Sequence, residues 1–154
     1  MGIDERIKEK KESTAPFSKI LVAADNSEYA SRAFDYAAKL SRLTGARISI
    51  VHVISPPVAA EGISFAELAE LQKKEGEQLL AKLKVRAEMQ FGIKAEGILE
   101  KGNPSKVILT TAKDTGADLI VVGSRGIGGV KELLLGSVSH TVSNHATCPV
   151  LIVK

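Results

Sequence analysis

Tryptophan is absent from the 154 residues and aromatics make up 4% of the chain, too few for a surface that stacks nucleobases. Cysteine occurs once, as Cys148, so an intramolecular disulfide is excluded and no metal site can be assembled around it by spacing. That thiol, beside Pro149, reads as a small buried apolar residue. Charge of one sign is scarce too: 21 basic residues stand against 18 acidic ones, a scattered net +3 without the basic stripe of a nucleic-acid binder. No apolar run approaches the ~20 residues that span a bilayer. The first residues hold no apolar stretch of the signal-peptide kind. The expectation is a cytoplasmic protein with no membrane insertion and no nucleic-acid partner. With 44% hydrophobic and 25% charged residues, the chain is of ordinary globular composition and of a length for one well-buried core.

What the chain does have is alternation. Residues 1–17 are charged and balanced in sign and read as an arm, with Ile3 and Ile7 placed for a short docking helix. Residues 18–154 read as the domain. Apolar runs at 19–24 (KILVAA), 47–54 (RISIVHVI), 94–100 (KAEGILE), 119–122 (LIVV) and 150–153 (VLIV) are the expected strands. Helical segments lie between them. The first follows Asp25, with Asn26 or Ser27 as cap, and ends at Gly45. The second opens with a capping box, Ser64 with Glu67, runs to about Gln90, and is expected to turn Phe65, Leu68, Leu79, Leu83 and Ala87 inward. The third has Asn103 as cap and Pro104 in its first turn, and stops at Gly116. Five strands alternating with helices mark an α/β fold, a Rossmann-like doubly wound parallel sheet with helices on both faces.

One stretch carries chemistry. After the fourth strand come Gly123, Gly126, Gly128 and Gly129, then Gly136 directly before Ser137. Glycines let main chain approach a ligand closely. Ser137 is a good N-cap, so a helix is expected to begin there with its N–H groups outward. Strand end, glycine loop and helix N-terminus together suit an anion, and phosphate is the natural one. The loop is not a Walker A motif, because Lys131 follows Val130 rather than a glycine. Nor is it the dinucleotide fingerprint, whose third glycine is replaced by Lys131 and which belongs after the first strand.

The spacing that fits is Gly123, two residues, Gly126, nine residues, Gly136-Ser137. In this the chain resembles the ATP-binding branch of the universal stress protein family. The likeness extends to residues 22–27 (VAADNS), 51–53 (VHV), 102–104 (GNP) and 148–153 (CPVLIV). It implies the strand order 3-2-1-4-5, which sets Asp25 and the loop from Gly123 to Gly129 on either side of the switch-point cleft. It also implies that Asp25 lies by the adenosine and that Val53 meets the adenine. Gly123 and Gly126 would line the ribose and first phosphates, and Gly136, Ser137 and Val138 the later ones.

Chemistry adds Ala23, beside Val53, as an apolar neighbour for adenine. Ser124 and Arg125 lie inside the same loop and are counted with the binding residues; Arg125 either reaches a phosphate or points to solvent. Asp25 either touches the ligand or caps the helix after it, and its switch-point position favours the ligand. Magnesium is expected to bridge the phosphates, held by them and by water rather than by a protein cage. His52 reads as a structural residue within its strand. His140 and His145, five apart on one helix, face different ways and make no metal pair.

No nucleophile with its base is recognisable. The expectation is therefore an ATP-binding regulatory or scaffold module with an unidentified downstream protein partner. A slow ATPase or a phosphoryl or adenylyl transferase is one alternative, and an interaction module that binds no nucleotide is another. Family resemblance further implies a homodimer through the C-terminal strand, whose apolar edge would invite pairing.

Overall fold

The structure, a computed structural model, describes residues 15–59, 61–128 and 134–154. Nearly all of the expected arm, together with Gly129, Val130 and Lys131, lies outside the described residues. Phe17, the last residue of that expected arm, packs against the core.

Five strands and four helices alternate along the described chain: β1 (Lys19–Ala23), α1 (Glu28–Thr44), β2 (Arg47–Ile54), α2 (Phe65–Phe91), β3 (Ala95–Lys101), α3 (Pro104–Thr115), β4 (Leu119–Gly123), α4 (Ser137–His145) and β5 (Val150–Val153). All strand pairs are parallel and the sheet order is β3-β2-β1-β4-β5. This is the expected Rossmann-like order, and β5 is one edge. Among the described residues no helix is long and apolar enough to cross a membrane.

Side chains alternate across the sheet, so each strand feeds two cores. Ile20, Val22, Ile48, Ile50, Leu119 and Val121 face α1 and α2. Leu21, Val51, Ile120 and Val122 face the opposite way, toward α3 and α4. Phe34 of α1 meets Phe91 of α2 edge-on, with ring centroids 6.2 Å apart. Arg86 of α2 clamps the same pair of helices, reaching both oxygens of Asp35 at 2.6 and 2.7 Å and the Ser31 hydroxyl at 2.9 Å.

Three helices start on side-chain caps: Ser27, Ser64 with its Glu67 box, and Asn103. The inner face of α2 differs from the expectation at its beginning. Phe65 is 62% exposed, and burial starts only at Gly76 and continues through Leu80, Leu83 and Ala87. The cause is length. A helix of 27 residues extends about 40 Å at 1.5 Å per residue, well beyond strands of four to eight residues.

The two central strands separate where the site lies. β1 and β4 pair from Ile20–Leu119 to Val22–Val121 and no further. Beyond that point β1 continues beside β2, with Ala24 N–H bonded to Val51 O at 2.8 Å, while Gly123 pairs with Val153 on the other side. One chain then enters α1 on one face of the sheet, and the other leads to α4 on the opposite face.

Candidate functional site

The gap so opened is a cleft of about 530 Å³ at the carboxyl ends of the strands. Its one side is apolar, with Ala23 from β1, Val51 and Val53 from β2, and Pro104 and Ile108 from α3. Its other side is Arg125 and Gly126 from the loop, and Gly136, Ser137 and Val138 at the start of α4. Asp25 adds a carboxylate to the lining, close to Gly126. Sequence reasoning reached most of these residues; it noted Pro104 as a helix start and within the likeness at 102–104 but assigned neither it nor Ile108 to the site.

Asp25 shapes the turn into α1 without capping it. Its Oδ1 accepts the Ser27 amide at 2.7 Å, and Ser27 Oγ in turn accepts the Ala30 amide at 3.1 Å as the true cap. The Oδ2 of Asp25 faces the loop: a β-carbon placed on Gly126 would stand 3.2 Å from it. Carboxylate and bare main chain thus lie close together on the cleft lining.

Two expectations at this site need correction. Ser137 is not the N-cap of α4; Gly136 is, and no side chain caps the helix. Gly136 donates to Ser124 O at 2.6 Å, and a β-carbon on it would lie 3.3 Å from Arg125 Cα, so the cap position has room for little more than glycine. The helix starts one residue earlier than a Ser137 cap would give, and Ser137 lines the cleft instead. Ser124 is the second correction. It is 2% exposed and lies beneath the loop rather than on the cleft wall. Its amide donates to Val153 O at 2.7 Å, and its carbonyl accepts from Gly136 N and from Ser139 Oγ at 2.9 Å. Ser139, unremarked in the sequence, is therefore the buried strut between loop and helix.

Gly123 also has a structural demand. A β-carbon there would stand 2.8 Å from both the carbonyl carbon and the β-carbon of Tyr29, so α1 packs on β4 at a distance only glycine allows. Arg125 lines the cleft and extends over Tyr29, its Nη1 3.3 Å from the Tyr29 hydroxyl. His52 is held as a structural residue would be, with Nδ1 2.8 Å from Ala24 O, and it is also among the residues that line the cleft. His140 and His145 are exposed, bonded to Asn144 and to Thr141 O on their own helix.

The first-turn amides of α4 carry the positive end of a helix and have no side-chain cap, an arrangement that favours an anion there. The apolar half, bordered by strand-end main chain, fits a flat heterocycle.

A family model described as "Universal stress protein family" matches residues 16–154. The chain belongs to the universal stress protein family. It is 44% identical over 148 residues to universal stress protein YxiE of Bacillus subtilis (strain 168), covering 90% of this chain and 99% of that one. The universal stress protein UspA from Lactobacillus plantarum shares the fold with a TM-score of 0.81 at 22% identity, over 89% of this chain and 97% of that chain. The universal stress protein from Archaeoglobus fulgidus in complex with dAMP superposes with a TM-score of 0.70 at 25% identity, over 89% of this chain and 98% of that chain.

Proposed function

We propose that this universal stress protein is an ATP-binding regulatory module, whose nucleotide alters its own conformation or its hold on a partner protein. The observation that carries the reading is one cleft lined by Asp25, set close against Gly126, and by the uncapped start of α4. The dAMP complex of the Archaeoglobus fulgidus relative supports an adenine nucleotide as the ligand class.

In this reading the adenine lies between Val53, Ala23 and Ile108, and Asp25 accepts from the adenosine. The phosphates lie along Gly126, Gly136, Ser137 and Val138, where amides and the helix end supply donors. Each bond to a charged phosphate oxygen is worth roughly 1.5–3 kcal/mol. Asp25 is the one carboxylate among the described lining residues, and among the described residues no group of three or more acidic, His or Cys side chains could hold a metal. Magnesium would thus be held by the phosphates and water. The same reading includes a homodimer through edge strand β5, checked by sedimentation equilibrium of the full chain.

The test is Ser137→Asp. An acidic residue in the first turn of α4 is favourable to the helix, so the melting temperature should hold or rise. The added carboxylate occupies the phosphate position, so titration calorimetry with MgATP should show affinity reduced by about tenfold or more, roughly 1.4 kcal/mol. Equal affinity in the variant and the wild type would remove the phosphates from this end of the cleft.

A further inference from the structure

We infer that Tyr29 is a positioning residue for Arg125, and that the pair makes the cleft discriminate adenine nucleotides by their number of phosphates. The inference rests on the adenine-nucleotide reading above and extends it to a side chain outside the cleft lining.

Tyr29 is the second residue of α1 and is half-buried. The missing side chain of Gly123 lets its main chain sit directly against the end of β4, at the 2.8 Å contact already described. The loop that leaves β4 returns two residues later as Arg125, whose guanidinium carbon lies 5.7 Å from the Tyr29 ring centroid and whose Nη1 is 3.3 Å from its hydroxyl. Arg32, one turn along α1, approaches the same ring with its guanidinium carbon 4.8 Å from the centroid. The negative face of an aromatic ring attracts each cation.

Arg125 is well placed to meet an anion. Its Cα is the nearest atom to a β-carbon built on Gly136, so its main chain lies against the start of α4. The nucleotide's first phosphate, in the reading above, lies on the glycine loop itself. Groups further along the phosphate chain approach the Arg125 side chain, whose planar fork takes two phosphate oxygens at once. A guanidinium already steered by a ring loses less freedom when it binds than one sampling solvent. A monophosphate ends before it can use this contact, whereas a triphosphate reaches it.

Calorimetric titration of the full chain with ATP and with AMP, both in magnesium, tests this on wild type, Arg125→Gln, Tyr29→Leu, Tyr29→Phe and the double variant Arg125→Gln/Tyr29→Leu. Arg125→Gln should weaken ATP about tenfold and AMP by less than about twofold, as expected for loss of one charged contact. Tyr29→Leu should weaken ATP by about threefold to tenfold with the same indifference to AMP. Tyr29→Phe keeps the ring and should restore ATP affinity to within about threefold of wild type. In the double variant the Tyr29 effect should vanish, because the side chain it positions is gone. Equal factors for ATP and AMP in Arg125→Gln, or a full Tyr29→Leu effect on top of Arg125→Gln, would overturn the inference while leaving the nucleotide site intact. Wild type that binds neither nucleotide would overturn both.

Discussion

Gly123 and Tyr29 meet at a distance that excludes any side chain on the glycine: a β-carbon at position 123 would stand 2.8 Å from the Tyr29 carbonyl carbon and 3.0 Å from the Ala30 amide nitrogen. The obstructing atoms are mainly helical main chain, which cannot turn aside as a side-chain tip can. One glycine therefore does two things. It ends β4 beside the cleft, and it brings the first turn of α1 close enough for Tyr29 to reach Arg125.

Gly123→Ala should consequently destabilise the fold by about 1–3 kcal/mol, the usual cost of forcing a methyl group into a filled contact. Gly97→Ala on β3 is the comparison, since its new methyl would meet Leu80 Cβ at an ordinary 3.4 Å. Urea unfolding of both variants decides the matter. Similar midpoints would mean that α1 moves away from β4 at little cost.

The order of elements was legible because its signals are local. Capping at Ser64 with Glu67 and at Asn103 with Pro104 depends on neighbours three or four residues away, and apolar runs mark the strands directly. The glycine spacing was equally local, and Gly123, Gly126 and Gly136 do line one cleft together with Asp25. What escaped were decisions made at long range. Phe65 looked inward because its spacing is helical, but no strand extends far enough to cover it. Ser137 looked like a cap, yet the position before it is pressed against Arg125, 11 residues earlier, and takes glycine instead. Ser124 looked like part of a ligand loop, but the hydrogen bond to Val153 turns it under the loop. Nothing near Tyr29 in the chain announces that Arg125 will lie over it.

Gly76 in α2 offers a test of a side-chain contact. Replacing glycine by alanine inside a helix ordinarily gains about 1 kcal/mol. Here the methyl group would meet Leu99 Cδ1 at 2.7 Å and His52 Cδ2 at 2.9 Å. Leu99 can rotate away, but the His52 ring is anchored by Nδ1 to Ala24 O at 2.8 Å, at the border of the cleft. Gly76→Ala should therefore fail to realise the usual gain and should shift the His52 imidazole resonances in a nitrogen–proton spectrum. A gain near the full amount with unmoved His52 signals would show that the contact is slack.

Acid stability should depend on Asp118. Partial burial raises its carboxyl pKa, but the Ser18 hydroxyl and the amides of Lys19 and Ser18 outweigh this and hold it below the ordinary 3.8. The bonds measure 2.7, 3.0 and 2.8 Å and join the starts of β1 and β4. A carboxyl whose pKa is lower in the folded state stabilises the fold above its unfolded pKa, and that contribution is lost as pH falls through the folded value. Asp118→Asn should be less stable than wild type near neutrality, by about 1 kcal/mol after allowance for solvent screening. The gap should close below about pH 4, where the unfolded carboxyl takes up its proton. Urea midpoints measured from pH 7 down to the acid limit of folding test this, and a gap independent of pH would deny Asp118 its charge-dependent role.

The same carboxylate governs the single thiol. Burial is the larger reason that the Cys148 pKa is raised, and the negative charge of Asp118 adds to it. Only the thiolate attacks iodoacetamide, so at pH 8 Cys148 should alkylate more slowly than free cysteine. Removing the charge in Asp118→Asn lowers the cost of ionising the thiol, and the rate at that pH should rise. A looser structure would also raise the rate, but it would lift the plateau reached at high pH. Loss of the charge instead moves the midpoint of the pH–rate curve downward and leaves its plateau in place. An unmoved midpoint would show that Asp118 and Cys148 are electrostatically independent, and that burial alone holds the thiol protonated.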